Sequence, residues 1–429
     1  MNKLRFKNIL LIWFSWSVVL FLYLSIARTR LDLKGPDASF NWTSKITDPA
    51  TQIDSRDDIQ LKNEGWYQAL KPHVSYDSFM YASIAMWGYH DPYMWAIPRD
   101  FSWDHPTDAQ LYKSKPEWMP ASSGFSPFYP YVSRLVSIPL IQLGNSPLVA
   151  TLMASIAVSL VGTLISMFSL SMLGDSLFGS QVGNRAAFYL LIFPASVCLG
   201  AVYTEGLFLA LSLTSLVLIR KEKVAWASIL AAFAVWTRVL GVFLVIPILA
   251  YYMKDLKKFS EVKKKFTSNL GANVVIVVLP VLSFLIWKYF FGTDYELMQN
   301  RFHLRVPFTF SVSLKSVYDS TLAIFNAANP HTRVYQMLQI PVTVLSLVAS
   351  VVLWKKDRGL SIYSLVMVLF PLTSGVLISM NRYVLACPAL LLLPAKWSEN
   401  AVFEKVWLLI NILGLALYGA LFASGYWVP

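Results

Sequence analysis

Residues 220–258 read RKEKVAWASILAAFAVWTRVLGVFLVIPILAYYMKDLKK. The apolar stretch 224–253 has Arg220, Lys221 and Lys223 before it and Lys254, Lys257 and Lys258 after it, followed by Lys263, Lys264 and Lys265. Arg238 is the one charge inside it. A single long span would put one basic cluster on each side of a membrane. Two short segments meeting near Thr237-Arg238 keep both clusters on the cytoplasmic side, where loops carry an excess of Lys and Arg. A single span would also leave Arg238 near mid-bilayer without a partner, at a cost of at least about 2.5–3.5 kcal/mol. The two-segment reading removes both problems and brings Arg238 to the outer surface.

The rest of the chain fits a membrane solvent. Hydrophobic residues make up 56% of the 429 positions and charged residues 14%, against about 25% charged in soluble domains. Mean hydropathy is +0.52. These values predict an all-α polytopic membrane protein. The aromatic share of 15% suits rings that anchor helices at the interface. A net charge of +12 raises nucleic acid as a partner. The charge distribution argues for none, because the excess Lys and Arg sit in short loops between apolar segments. Cys198 and Cys387 both lie in apolar stretches and form neither a disulfide framework nor a zinc spacing. Lys3, Arg5 and Lys7 precede an apolar run with no small-residue cleavage site after it, which predicts a retained signal-anchor helix.

About eleven apolar segments can be marked, at 8–27, 147–173, 185–201, 204–219, 224–237, 239–253, 271–291, 336–354, 360–379, 383–396 and 404–427. With the N-terminus inside, the basic loops 220–223, 254–265 and 355–358 all fall in the cytoplasm. Residues 28–146 become a large extracytoplasmic first loop carrying interfacial helices, and 292–335 a second outer loop, within a single membrane domain spanning 1–429.

Several polar residues on the outer side do not suit a passive bundle. In SYDSFMYASIAMWGY (75–89), Asp77 opens a short helix whose apolar positions Phe79, Met80, Ala82, Ile84, Met86 and Trp87 suit the outer interface. The plain alternative is a helix cap by Ser75 or Asp77. SGFSPFYPYVSRL (123–135) reads as an interfacial segment leading into a second short helix, or simply as an aromatic belt with a Pro-set turn. AVYTEGLF (201–208) puts Glu205 in a membrane-level outer turn, where an ionisable group is a site candidate; the alternative is a first-turn acid behind a Thr204 cap. Arg238, Arg301, His303, Arg305 and Arg382 reach the same face. A planar guanidinium binds phosphate in bidentate fashion, although each arginine taken alone could snorkel. All five histidines fall outside, and His73 stands four residues before Asp77. Asn41-Trp42-Thr43 matches an N-glycosylation sequon. The coincidence outweighs any single item: one topology, fixed by cytoplasmic lysines, gathers Asp77, Glu205, Arg238, Arg301 and Arg382 from five distant places onto one face.

At these residues the sequence resembles the PIG-V family of membrane mannosyltransferases, within the GT-C class of glycosyltransferases. The Asp-Ser pair of that family is matched by Tyr76-Asp77-Ser78, and its helix ending Gly-Tyr by Gly88-Tyr89. Its Phe-Pro-x-Tyr-Pro element is matched in part by 126–130, containing Tyr129, with Arg134 following. Tyr203-Thr204-Glu205 matches a Tyr-(Ser/Thr)-Glu turn, residues 237–241 a Thr-Arg-Pro-x-Gly turn, and Arg382-Tyr383 a late Arg-Tyr. The order and spacing agree over about 70–260. Tyr76 replaces the family's Trp and Val239 its Pro, and the segment before Asp77 has no counterpart.

The resemblance implies a GT-C-like bundle and a mannose donor carried on a polyprenyl phosphate, used on the outer face with a glycan or glycolipid acceptor. In that reading Asp77 is the general base. Tyr76, Ser78, Tyr129, Tyr203, Glu205, Arg238, Arg301, His303 and Arg382 form the substrate-binding set, with Arg238 and Arg382 on the leaving phosphate. No residue is assigned to a metal, although the chemistry accommodates a divalent cation. Membrane lipid is the surrounding partner. The expected location is a bacterial plasma membrane in preference to the endoplasmic reticulum, since no retention signal is recognised. Two rivals stand beside this reading. A secondary transporter predicts inverted repeats and midplane polar sites, and the sequence shows no repeat. A non-catalytic scaffold of the same fold accounts for the departures at Tyr76 and Val239.

Overall fold

The computed structural model describes residues 3–31, 65–92, 94–100, 110–111, 114–253, 270–301, 310–326, 330–372 and 379–426. It is helical throughout apart from one small sheet. The described residues of the apolar segments are mostly helical. Five helices are long and apolar enough to cross a membrane: Leu4–Arg30, Pro147–Phe178, Val275–Met298, Gln336–Leu353 and Ala401–Ala423. Ser180–Ile192 and Pro194–Gly200 add a sixth if the pair, bent by 81°, is counted as one span. The remaining apolar helices are shorter, so length alone does not reproduce eleven crossings.

The first half is built around α1 (Lys3–Arg30), α2 (Asp77–Trp87), α3 (Phe128–Gln142), α4 (Pro147–Phe178), α5 (Ser180–Ile192) and α6 (Glu205–Arg220). Helix α4 is the hub, packing on α3, α5 and α6. Its contact with α6 is at backbone distance. A Cβ at Gly162 would lie 2.5 Å from the Gly206 carbonyl carbon, and one at Gly206 would lie 2.3 Å from the Ser159 oxygen. Only glycine permits that approach, and it presses the first turn of α6, including Glu205, against α4.

The stretch 224–253 is two segments. Helix α7 (Val224–Thr237) ends at Arg238, whose backbone is extended. A 3-10 turn at Val239–Leu244 then leads into α8 (Val245–Met253). The chain folds back on itself here: a Cβ on Gly241 would meet the Val235 nitrogen at 2.4 Å. Arg220, at the end of α6, donates to Asp357 at 2.5 Å, which brings 220–223 and 355–358 close together.

The second half contains α9 (Leu270–Trp287), α10 (Thr293–Arg301), α11 (Phe310–Asn326), α12 (Pro330–Leu353), α13 (Arg358–Leu372), α14 (Met380–Tyr383), α15 (Pro388–Trp397) and α16 (Ala401–Ala423). Much of the expected outer loop 292–335 is therefore helix. A π-turn at Lys288–Gly292 carries α9 into α10, and the polar residues Asp294 and Glu296 sit in a helix that the loss of hydropathy had marked as its end.

The outer layer differs from expectation at α2. Ser78 through Ala85 are all buried, so this helix does not lie on the lipid surface. Three short antiparallel strands, β1 (Trp95–Ile97) between β2 (Gln110–Leu111) and β3 (Met119–Pro120), roof it over. Met94, Ile97, Met119 and Ala121 pack with Met298 of α10 against Phe79 and Met80. Arg99 pairs with Asp294 at the rim. The helix with the exposed apolar face is α3, where Leu135, Ile138 and Ile141 are open.

A cysteine scan checks the sidedness. Glu117 and Glu222 are both exposed, whereas Cys198 and Cys387 are buried and can be replaced to give a cysteine-free background. Glu117→Cys is expected to react with an impermeant maleimide added to intact cells, and Glu222→Cys to react only after permeabilisation. Labelling of position 222 from outside would overturn the fold-back at Arg238.

Candidate functional site

The candidate site lies where three apolar helices are interrupted, and buried backbone outside a helix needs other partners for its polar groups. Between α5 and α6 the chain runs through a 3-10 turn and an open bend at 201–204. Helix α4 supplies the missing partners. Thr163 Oγ1 donates to the Leu199 carbonyl at 3.1 Å, and Ser159 Oγ to Tyr203 at 2.9 Å. The Tyr129 hydroxyl joins the same set, donating to the Ser155 carbonyl at 2.9 Å and lying 3.0 Å from Ser159 Oγ. A ladder of hydroxyls on one helix face thus holds open the turn that carries Glu205.

Asp77 is brought to Glu205 by a second set of bonds. The Val202 nitrogen donates to the His73 carbonyl at 3.1 Å, the Tyr203 hydroxyl donates to the Ser75 carbonyl at 3.1 Å, and His73 Nδ1 donates to the Gly200 carbonyl at 2.8 Å. The segment 73–75 is therefore laid along 200–203. Tyr76 follows with φ 49°, a left-handed backbone that costs a non-glycine residue about 1–3 kcal/mol unless its surroundings enforce it. Its hydroxyl donates to the Gly425 carbonyl at 3.0 Å. The cap reading of this helix fails. No side chain caps α2 or α6, and Ser78 Oγ accepts from the Ser75 nitrogen while the Asp77 carboxylate turns elsewhere.

It turns to Arg382. Arg382 Nη1 donates to Asp77 Oδ2 at 2.5 Å, and Arg382 Nε lies 3.0 Å from Glu205 Oε1. That second contact is an ion pair without hydrogen-bond alignment, since Nε makes no hydrogen bond. Arg238 Nη1 donates to the same Glu205 oxygen. Side-chain exposures are 2% for Glu205, 9% for Arg382, 13% for Asp77 and 14% for Arg238, so water screens this network little. The second Glu205 oxygen, Oε2, is buried without a partner. Glu205 thus stands at the back of the network, while Asp77 and Arg238 are its most open members.

Aromatic rings frame the two cations. The Arg382 guanidinium lies 5.2 Å from the Tyr203 ring and 5.9 Å from the Tyr383 ring. Arg238 lies 5.0 Å from Tyr383 and 5.9 Å from Phe208. Tyr383 therefore touches both arginines and separates them. Its sequence signal was its place beside Arg382, and Phe208 had none beyond one helical turn from Glu205.

Of the residues expected in the site, Asp77, Glu205, Arg238 and Arg382 come together, with Tyr203 directly beneath Arg382. Tyr76, Ser78 and Tyr129 are bound to backbone or hydroxyl partners around them. Arg301 ends α10, with its side chain outside the described residues, and His303 and Arg305 also lie outside them. No group of three or more His, Cys, Asp or Glu suited to a metal occurs among the described residues.

His73 yields a pH prediction. It lies outside the membrane-spanning segments, is 2% exposed and stacks on Phe21. Burial pushes its imidazole down to about 4, opposed in part by the bond to Gly200. A folded-state value below the unfolded one means that the unfolded chain binds the proton first. Stability contributed at neutral pH is therefore lost as pH falls from about 6.5 toward 4, by on the order of 3 kcal/mol. The melting temperature in detergent is expected to fall across that window. His73→Asn, whose amide can still donate to Gly200 but cannot charge, is expected to flatten the fall.

No protein-family model and no curated protein sequence matches the chain. It is similar to solved structures of an oligosaccharyltransferase from Archaeoglobus fulgidus. The apo form superposes with a TM-score of 0.44 at 12% identity, covering 97% of this chain and 56% of that one. A complex of the same archaeal protein, AglB, with an inhibitory peptide and a dolichol-phosphate gives 0.38 at 13%, covering 96% and 56%. The chain thus spans about half the length of these proteins, and likeness at this level carries no weight for the site.

Proposed function

We propose that this protein is a GT-C-like membrane glycosyltransferase that transfers mannose from a polyprenyl-phosphate donor to an acceptor hydroxyl on the extracytoplasmic face. The observation that carries the reading is the buried Asp77–Arg382–Glu205–Arg238 network, which the proposed topology sets at the outer membrane surface. A lipid-linked donor is reached laterally in the membrane, and a site at this depth suits it. The network holds two carboxylates and two guanidiniums, so it is formally neutral before a substrate arrives.

The chemistry is a single displacement. The acceptor oxygen attacks the sugar C1, its proton passes to Asp77, and the bond from C1 to the phosphate oxygen breaks. The departing polyprenyl phosphate gains negative charge, which guanidinium N–H donors stabilise in a poorly hydrated site. Arg238 and Arg382 use one nitrogen each for their hydrogen bonds to Glu205 and Asp77, which leaves the remaining outward donors for phosphate. Glu205 keeps both cations fixed and keeps two like charges close together without a ligand.

Radiolabelled transfer from polyprenyl-phosphate mannose in membranes tests the reading. Asp77→Asn is expected to lower the transfer rate about 100- to 10,000-fold, the usual loss of a general base. The substitution also removes a partner of Arg382, and opening a buried pair typically costs about 3–5 kcal/mol, here lessened because Glu205 remains beside Arg382. Melting of the variant is therefore measured alongside. A folded Asp77→Asn protein that keeps more than about a tenth of the wild-type rate would exclude Asp77 as the base. Arg238→Lys separates phosphate binding from snorkelling. Lysine cannot reproduce paired donation, so the apparent Michaelis constant for the lipid donor is expected to rise, whereas a snorkelling arginine would tolerate the change.

A further inference from the structure

Beside the network stands a tyrosine hydroxyl that none of the roles above uses. Tyr81 stands one helical turn after Asp77 on α2 and so presents to the same side. Its ring is clamped edge-to-face by Phe125, Tyr129 and Tyr203, with centroids at 5.2, 5.4 and 6.4 Å. Three rings from three elements fix where the hydroxyl points. Yet that hydroxyl hydrogen-bonds to no described residue, in a side chain that is largely buried. The tyrosines that clamp it are different: Tyr129 and Tyr203 spend their hydroxyls on backbone carbonyls. A tyrosine so rigidly held, with its polar end unspent, is arranged for a ligand.

The surroundings narrow the ligand's chemistry. Burial pushes the Tyr81 phenol far above its usual range. The Asp77 and Glu205 carboxylates push it further, and their influence exceeds that of Arg382 and Arg238. The hydroxyl therefore stays protonated, and helix spacing sets its residue one turn from Asp77. A phosphate is disfavoured there by like charge and is served by the arginines. A neutral polyol is not disfavoured, because a phenol can both donate to and accept from a sugar hydroxyl. We infer that Tyr81 binds a hydroxyl of the donor's sugar ring, holding the sugar between Asp77 and the arginine-bound phosphate. Tyr81 is then a specificity-determining residue for the sugar. The inference rests on the proposed lipid-linked sugar donor.

Paired binding measurements test it. Purified full-length protein in detergent is titrated with two probes, polyprenyl-phosphate mannose and the bare polyprenyl phosphate. Tyr81→Phe keeps the clamped ring and removes only the hydroxyl. It is expected to weaken the mannosyl probe about 3- to 10-fold, the range for one lost hydrogen bond, and to leave the bare phosphate unchanged. Unchanged affinity for the bare phosphate also certifies the fold of the variant. Equal weakening of both probes would place Tyr81 on the phosphate, and no change in either would remove it from the site. Both outcomes overturn the inference while leaving the proposed donor intact. If the wild-type protein bound neither probe, the proposed donor would fall, and this inference with it.

Discussion

Two guanidiniums converge on one oxygen of Glu205, and the outer half of the protein is organised around that carboxylate. Burying either arginine or the acid alone would be costly. Together they form a unit that is stable only when three separate breaks in the helical bundle meet. Arg238 sits at the extended residue after α7, Arg382 in the four-residue α14, and Glu205 at the first residue of α6. Irregular backbone at membrane depth is tolerated only inside protein, so the same burial that raises the cost of the charges protects the breaks that deliver them.

The hydroxyl-rich face of α4 is the other half of that arrangement. Ser159 and Thr163 satisfy the carbonyls that the interrupted helix cannot pair for itself. The glycines of α4 and α6 bring the two backbones close enough for short side chains to reach. The polar content of a long apolar helix is thus not a defect of its hydropathy but the means by which its neighbour can be broken.

The break at Arg238 and the gathering of charged residues were legible in the sequence because basic clusters flank 224–253 on both sides, and because a lone Arg238 in an apolar stretch is costly in every arrangement but a turn. The pairing itself was not legible. Asp77 and Arg382 are separated by 305 positions, and no periodicity links them. The burial of α2 was also hidden. Its apolar face read as a lipid contact, and only the three-stranded roof and Met298 of α10 show that protein covers it. Tyr81 was invisible for a related reason: a tyrosine in an aromatic-rich membrane protein has an ordinary anchoring use, and only its unspent hydroxyl distinguishes it. The continuation of helix past Gly292 was missed because polar residues there signalled an end that the π-turn bypasses.

The bond from the Tyr76 hydroxyl to the Gly425 carbonyl has a consequence for biosynthesis. The left-handed backbone that aims Asp77 is unfavourable by itself, and one of its restraints comes from the far end of α16. Arg28 of α1 reaches the same end, donating to the Ala423 carbonyl at 2.8 Å. A nascent chain emerges in order, so Tyr76 and Asp77 wait while nearly 350 further residues are made before Gly425. Arg382 is made before α16, so the charged residues can pair while the restraint from Gly425 is still missing. The backbone geometry at Tyr76 is therefore completed last, and a protein stalled short of α16 would hold all four charged residues with Asp77 imperfectly aimed.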